Sequence, residues 1–166
     1  MLDIKQATTE KDFEPVRFLN YAFVDWLRQS FPDHRETIDK YFIGLKAEMA
    51  SLPGEYTQPT GTLLLAYLNG EAAGTVASRK IGNGICEMKH MFVLPAFHGK
   101  GIGKALATEL INRSRQMGYE RMRLDTSMGQ VAAQGLYRSL GFQEIEPYYE
   151  LPEEMRKSIL FFELRL

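Results

Sequence analysis

Apolar and polar residues alternate from Leu2 to Thr8, which predicts a half-buried strand at the start of the chain. Thr9-Glu-Lys-Asp12 has the form of a helix N-cap, and Phe13, Val16, Phe23 and Leu27 then recur on one helical face. Phe31-Pro-Asp33 breaks that helix. Asp33-His-Arg-Glu36 reads as a capping box for a second helix with Ile38, Phe42, Leu45 and Met49 on one face, closed by Leu52-Pro-Gly54. The period then changes to that of strands. Thr62 to Leu68 and Glu71 to Ser78 flank Asn69-Gly70, a strong hairpin signal, and Gly82-Asn-Gly84 leads into a third strand from Ile85 to Leu94. Beyond Pro95 the pattern alternates. Gly101 to Met117 is a helix with Ile102, Leu106 and Leu110 at four-residue spacing, and Arg121 to Thr126 is a strand. Ser127-Met-Gly-Gln130 can cap a helix carrying Ala133, Leu136 and Leu140, which Gly141 stops. Strands from about Phe142 to Tyr149 and from Ser158 to Leu166 follow. The order β-α-α-β-β-β-α-β-α-β-β predicts an α/β fold with a mixed, mostly antiparallel central sheet flanked by helices, in one domain spanning 1–166.

Composition narrows the setting. Apolar residues make up 45% of the 166 positions, enough to bury a core and to set disorder aside. A formal charge of −1 gives no general attraction to nucleic acid or to anionic membrane, and no segment reaches the ~20 apolar residues of a membrane span. The N-terminus lacks a signal-peptide layout. One cysteine, Cys86, excludes an internal disulfide, and His34, His90 and His98 lack zinc-ligand spacing. The expectation is a metal-free cytoplasmic protein.

The chemistry concentrates in Val93-Leu-Pro-Ala-Phe-His-Gly-Lys-Gly-Ile-Gly-Lys104, where a strand ends, glycine recurs at Gly99, Gly101 and Gly103, and a helix begins. Glycine permits positive φ and close backbone approach, and a helix start presents N–H groups with no internal partner. The helix dipole favours an anion there by about 0.3–1 kcal/mol, and Lys100 and Lys104 add charge. A diphosphate suits this turn. A glycine turn without a ligand is the plainer reading. The P-loop pattern is absent, and the dinucleotide pattern G-x-G-x-x-G fails by one position, although Asp125 ends a strand about twenty residues on, as a ribose-binding acid does. A dinucleotide-dependent oxidoreductase therefore stands as a weaker alternative.

His98-Gly-Lys-Gly-Ile-Gly103 resembles the Q/R-x-x-G-x-G/A signature of the GNAT acetyltransferases. The resemblance extends to Cys86-Glu-Met-Lys-His-Met-Phe-Val93, to Leu124-Asp-Thr126, and to Ala133-Gln-Gly-Leu-Tyr-Arg-Ser-Leu-Gly-Phe142. Leu52-Pro-Gly54 and Gly61-Thr-Leu-Leu-Leu-Ala66 are similar to an uncharacterised bacterial branch of that superfamily. Two positions depart from the pattern: His98 replaces Gln or Arg, and Gln130 stands where the family often has Asn touching coenzyme A.

What the resemblance implies is an N-acetyltransferase that uses acetyl-CoA on a small-molecule or peptide amine by direct attack in a ternary complex. The cofactor residues are then Met91, Phe92 and Val93, whose backbone pairs with pantetheine, His98 to Lys104 (Gly99, Lys100, Gly101, Ile102, Gly103 included), and Gln130. Glu87 takes the position of a catalytic glutamate, and Tyr137 that of the general acid. For Glu87 the alternative is a solvated carboxylate paired with Lys89; for Tyr137, core packing with its hydroxyl bonded outside; for Gln130, a cap for Ser127. His90 is either a proton relay or a packed strand residue, and Cys86 is disfavoured as a nucleophile. Tyr148-Tyr149-Glu150 and Glu55-Tyr56 are candidates for lining an acceptor pocket. A module that binds acyl-CoA without turnover and a homodimer both stay open.

Overall fold

The computed structural model describes residues 1–166 throughout. It opens on β1 (Leu2–Gln6) and α1 (Glu10–Ser30). The predicted cap of α1 forms: Thr9 accepts from the Asp12 N–H, and the Asp12 carboxylate accepts from the Thr9 N–H. α1 buries Phe13, Val16, Leu19, Val24 and Leu27.

The second helix departs from expectation. Pro32 to His34 form a single 3₁₀ turn, and the segment divides into α2 (Arg35–Tyr41) and α3 (Leu45–Ala50). Asp33 caps nothing, because the 3₁₀ turn moves the helix start past it and leaves His34 at the N-cap. The predicted apolar face survives the break, since Leu45 and Met49 are buried and Ile38 and Phe42 pack beside them.

Next come β2 (Thr62–Leu68), β3 (Glu71–Gly82) and β4 (Ile85–Val93), the predicted antiparallel meander. Positive φ at both Asn69 and Gly70 closes the first hairpin, as that dipeptide demands. Then α4 (Ile102–Gln116), β5 (Arg121–Ser127), α5 (Val131–Ser139), β6 (Gln143–Ile145), α6 (Glu153–Arg156) and β7 (Ile159–Arg165) complete the chain. The strand expected from Phe142 to Tyr149 is only β6, and residues 146–152 form a loop instead. Pro147 has no N–H to give a ladder, and both Tyr148 and Tyr149 turn their hydroxyls toward other strands.

The seven strands lie in the order β1-β2-β3-β4-β5-β7-β6 and are antiparallel except where β4 meets β5. Helices cover both faces. Leu64 and Ala66 of β2 face α4, with Leu106 and Leu110, while Leu63 and Leu65 face α1, with Val16 and Leu19. Full burial of each such leucine is worth about 1.5–3 kcal/mol.

The central feature is how β4 and β5 part. They pair in parallel only over Ile85–Glu87 and Arg121–Arg123. On its other side β4 carries a bulge: Thr75 pairs with Phe92 but Ala77 pairs with Lys89, so β4 holds one extra residue. His90 lies in it with φ +56, a left-handed conformation that costs a non-glycine residue about 1–3 kcal/mol. The bulge bends β4 away from β5 and opens a cleft.

Candidate active site

Beyond Glu87 the β4 edge that faces β5 has no strand partner, and a cleft of about 910 Å³ fills the gap. Its floor is the β4–β5 junction, and its walls come from α1, α2, α5 and the 146–152 loop.

The glycine turn follows β4, whose Met91 lines the cleft. Gly99 and Gly101 have φ of +74 and +75, so both need glycine's freedom, and Gly101 opens α4 without any side-chain cap. Gly103 packs against Val93 and Leu136. The backbone N–H groups from Gly99 to Lys104 find no backbone acceptor, the first bond of α4 being Ala105 N–H to Gly101 C=O. Ile102 is buried and anchors the turn, while Lys100 and Lys104 are exposed. Six free donors and two exposed ammonium groups at one helix start are the complement of a phosphorylated ligand. His98 spends its side chain locally: its Nε2 lies 2.8 Å from the Val93 carbonyl and ties the turn to β4.

Met91 lines the cleft. The Phe92 side chain points to the opposite face, stacked on Phe23 at 5.0 Å between ring centres. Val93 lies where β4 meets the turn, so what these two can offer a ligand is backbone.

Glu87 and Arg123 are neighbours in the short parallel register, at the junction itself. Glu87 is buried, not a solvated carboxylate, and its ion-pair partner is Arg79 rather than Lys89. Arg79 Nε donates to Glu87 Oε1 at 3.0 Å, and the Tyr148 hydroxyl donates to Oε2 at 2.6 Å. Burial opposes the Arg79 charge, but Glu87 and Glu55 outweigh it and hold the guanidinium above its usual range.

Tyr137 of α5 is buried, with its ring against Phe142 and Phe162 and its hydroxyl bonded to nothing in the protein, so the expected outside partner is absent. It lines the cleft. Burial, aided by the Asp125 charge, pushes its phenol above the ordinary range, so it keeps its proton at neutral pH.

Asp125 faces the same space and accepts from two hydroxyls, Tyr41 to Oδ1 and Tyr149 to Oδ2, each at 2.5 Å. Gln130 stands at the N-cap of α5, and only half of its expected cap with Ser127 forms. Its Oε1 accepts from the Ser127 N–H at 3.3 Å and sits 3.2 Å from the Thr126 and Ser127 hydroxyls, while the Ser127 hydroxyl caps no N–H. Gln130 also lines the cleft.

His90 is buried in the bulge. Its Nε2 meets the Glu48 carboxylate, to which Tyr56 also donates. Burial works against the Glu48 charge, but those two partners hold its carboxyl at about 2. Cys86 is buried, and desolvation raises its thiol to about 11, so it is no nucleophile at neutral pH. Of the expected acceptor residues, Tyr148 and Tyr149 line the cleft; Tyr56 packs behind it and Glu55 is exposed on Arg79.

Sequence reasoning missed Arg79, Arg123, Tyr41 and Glu48. One signal was available: the Gly82-Asn-Gly84 turn fixes a register in which Arg79 faces Glu87. Nothing local marks Tyr41 or Glu48, which reach the site only through tertiary packing. No three His, Cys, Asp or Glu residues gather as a metal site, and no helix is long and apolar enough to cross a membrane.

The model of the acetyltransferase (GNAT) family matches residues 20–142, which include the bulged strand, the glycine turn and the helix of Tyr137. An uncharacterised N-acetyltransferase of Schizosaccharomyces pombe is 38% identical over 117 residues, covering 69% of this chain and 72% of that one. The N-acetylaspartate synthetase of Danio rerio is 37% identical over 128 residues, covering 73% of this chain but 45% of the relative. The PaiA N-acetyltransferase of Thermoplasma acidophilum, solved with coenzyme A, superposes at a TM-score of 0.75 over 100% of this chain and 99% of its own; at 18% identity it speaks for the fold alone. A family match over most of the chain, on a sheet that splays beside a free-amide glycine turn, makes this chain a member of the acetyltransferase (GNAT) family.

Proposed function

We propose that the chain transfers the acetyl group of acetyl-CoA to an amine by direct attack in a ternary complex. The observation that carries this reading is the run of six unpartnered N–H groups at the start of α4, beside a strand edge left open by the β4 bulge. The turn from His98 to Lys104 takes the diphosphate, and the free edge of β4 at Met91, Phe92 and Val93 takes the pantetheine as an added strand. A backbone N–H of that edge polarises the thioester carbonyl. Gln130, beside Tyr137 on α5, is the further cofactor contact.

In the transfer, the ammonium first gives one proton to a base; the freed nitrogen then bonds to the carbonyl carbon as the carbon–sulfur bond breaks, the nitrogen gives up a second proton and the departing thiolate gains one, so that one proton per turnover is released to solvent. A lysine-like amine has a pKa near 10.4, so freeing its lone pair at pH 7 costs ~4–5 kcal/mol. Glu87 is the proposed base. Its two oxygens carry about four acceptor sites, so the bonds from Arg79 and Tyr148 leave room for an incoming N–H. Tyr137 is the proposed donor to the thiolate, since its hydroxyl is protonated, unbonded and turned into the cleft. Thiol attack through Cys86 has no support from its burial or its pKa. Likeness to the N-acetylaspartate synthetase of Danio rerio agrees with a small amine acceptor.

Calorimetry with acetyl-CoA, followed by thiol release on adding amines, tests the reading. Saturable binding with amine-dependent thiol release is the expected result. Binding without release from any amine leaves only an acyl-CoA-binding module, and no binding removes the assignment.

A further inference from the structure

The acceptor end of the cleft holds two charged groups that the acetyl-transfer scheme does not use. Arg123 and Asp125 lie two residues apart on β5, so their side chains leave the same face of the strand, with α-carbons roughly 6.5–7 Å apart. Arg123 Nε donates to Glu163 at 2.8 Å, and its guanidinium carbon lies 5.4 Å from the Tyr148 ring centre. These contacts fix the plane of the group. Its two terminal nitrogens have no partner in the protein, although the side chain is only 23% exposed. An ordered guanidinium with its outer fork free is the usual receptor for a carboxylate.

Asp125 is the opposite case. It carries a negative charge in the cleft with no cation paired to it, only the hydroxyls of Tyr41 and Tyr149. Each oxygen retains an acceptor site. Asp125 and Tyr137 both line the cleft. Glu87, with Arg79 as its counter-ion, lies across the junction beside Arg123. The fork is thus free to take an anion while the far carboxylate is free to take an ammonium.

We infer that the acceptor is a free amino acid, with its carboxylate held by the outer nitrogens of Arg123 and its ammonium held by Asp125 until the proton leaves. The inference rests on the acetyl-transfer reading and adds the substrate class. A simple polyamine satisfies Asp125 but leaves the Arg123 fork empty. A carboxylic acid without an amine has nothing to acetylate. Only a molecule with both charges close together uses both groups.

Each amino acid is compared with its own amide and its own decarboxylated amine, at fixed acetyl-CoA, by thiol release. The wild-type chain should use at least one amino acid with kcat/KM about 10- to 100-fold above that of its amide, the size of one lost charge-assisted contact. Arg123→Lys keeps a positive charge for Glu163 and loses the fork. It should raise KM for the amino acid by a similar factor and bring the ratio of amino acid to amide close to one. Asp125→Asn should impair the amino acid and the decarboxylated amine alike. Amides or decarboxylated amines used as well as amino acids by the wild-type chain overturn the inference, as does turnover on no amino acid while acetyl-CoA still binds. That last outcome leaves the thioester site standing; absence of acetyl-CoA binding removes both readings.

Discussion

Tyr137 shows how a single side chain is prepared for one task. Its ring is held between Phe142 and Phe162, so the direction of the hydroxyl is fixed by packing rather than by a hydrogen bond. That leaves the hydroxyl unsatisfied in the ground state and available when a thiolate forms. With its pKa raised, the phenol holds its proton through neutral and mildly alkaline pH, and complete transfer to a thiolate, whose conjugate acid lies near 8.5, is uphill. In the role proposed for it, its contribution is therefore greatest as a donor in the transition state. Tyr137→Phe keeps the ring and removes only the donor. It should lower kcat about 100-fold with acetyl-CoA affinity and melting temperature unchanged, as read by steady-state kinetics, calorimetry and thermal unfolding. A variant with full kcat takes the role away from this residue. Glu87 and Tyr137 stood out in the sequence because each sits in a motif, and both line the cleft. Arg123 and Asp125 were not legible as a pair: their meaning comes from the end of the β4–β5 pairing, which no local pattern encodes.

At the scale of elements, the cleft follows from two local irregularities. The bulge at His90 turns β4 away from β5, and Gly101 starts α4 at the turn that follows β4. His90 is held in its costly conformation by Glu48 and Tyr56, which reach it from α3 and the segment after it. The N-terminus of α4 then makes a sharp prediction. No atom lies within 4 Å of a Cβ placed at Gly101, so the first side-chain atom of Gly101→Glu has open space. The substitution does force φ +75 on a residue with a Cβ and puts a carboxylate at the donors, where like charge repels a diphosphate. Binding of acetyl-CoA should fall at least 100-fold by calorimetry while the fold persists by circular dichroism. Unchanged affinity would show that the diphosphate lies elsewhere. The meander, α4 and α5 were readable because each had periodicity and a terminal glycine signal. The split between α2 and α3 was not, since both halves share one apolar face that continues across the break. The missing length of the Phe142–Tyr149 strand has the same origin: its aromatic residues suit a strand, yet hydroxyl bonds to Glu87 and Asp125 draw Tyr148 and Tyr149 into the cleft wall.

At the scale of the whole molecule, β1 to β4 and β5 to β7 are two half-sheets that meet along three residue pairs. A ligand that pairs with the open edge of β4 while its diphosphate sits on α4 and its thioester end reaches Tyr137 of α5 bridges both halves. Folding and binding are then linked, because the unfolded chain has neither the bulge nor the ordered amides. A ligand at 100 times its Kd stabilises the native state by about 2.7 kcal/mol. In a domain of this length each kcal/mol raises Tm by roughly 2–4 °C, so acetyl-CoA should raise it by roughly 5–11 °C. The formal charge of −1 supplies no long-range attraction for an anionic ligand, so the effect should depend on the local donors and weaken only modestly with salt. NAD and NADP carry the diphosphate but lack the pantetheine proposed to pair with the strand edge, and at equal concentration they should raise Tm by far less. Equal shifts with NAD and acetyl-CoA would mean that the turn recognises phosphates alone and that the gap between β4 and β5 plays no part in choosing the ligand.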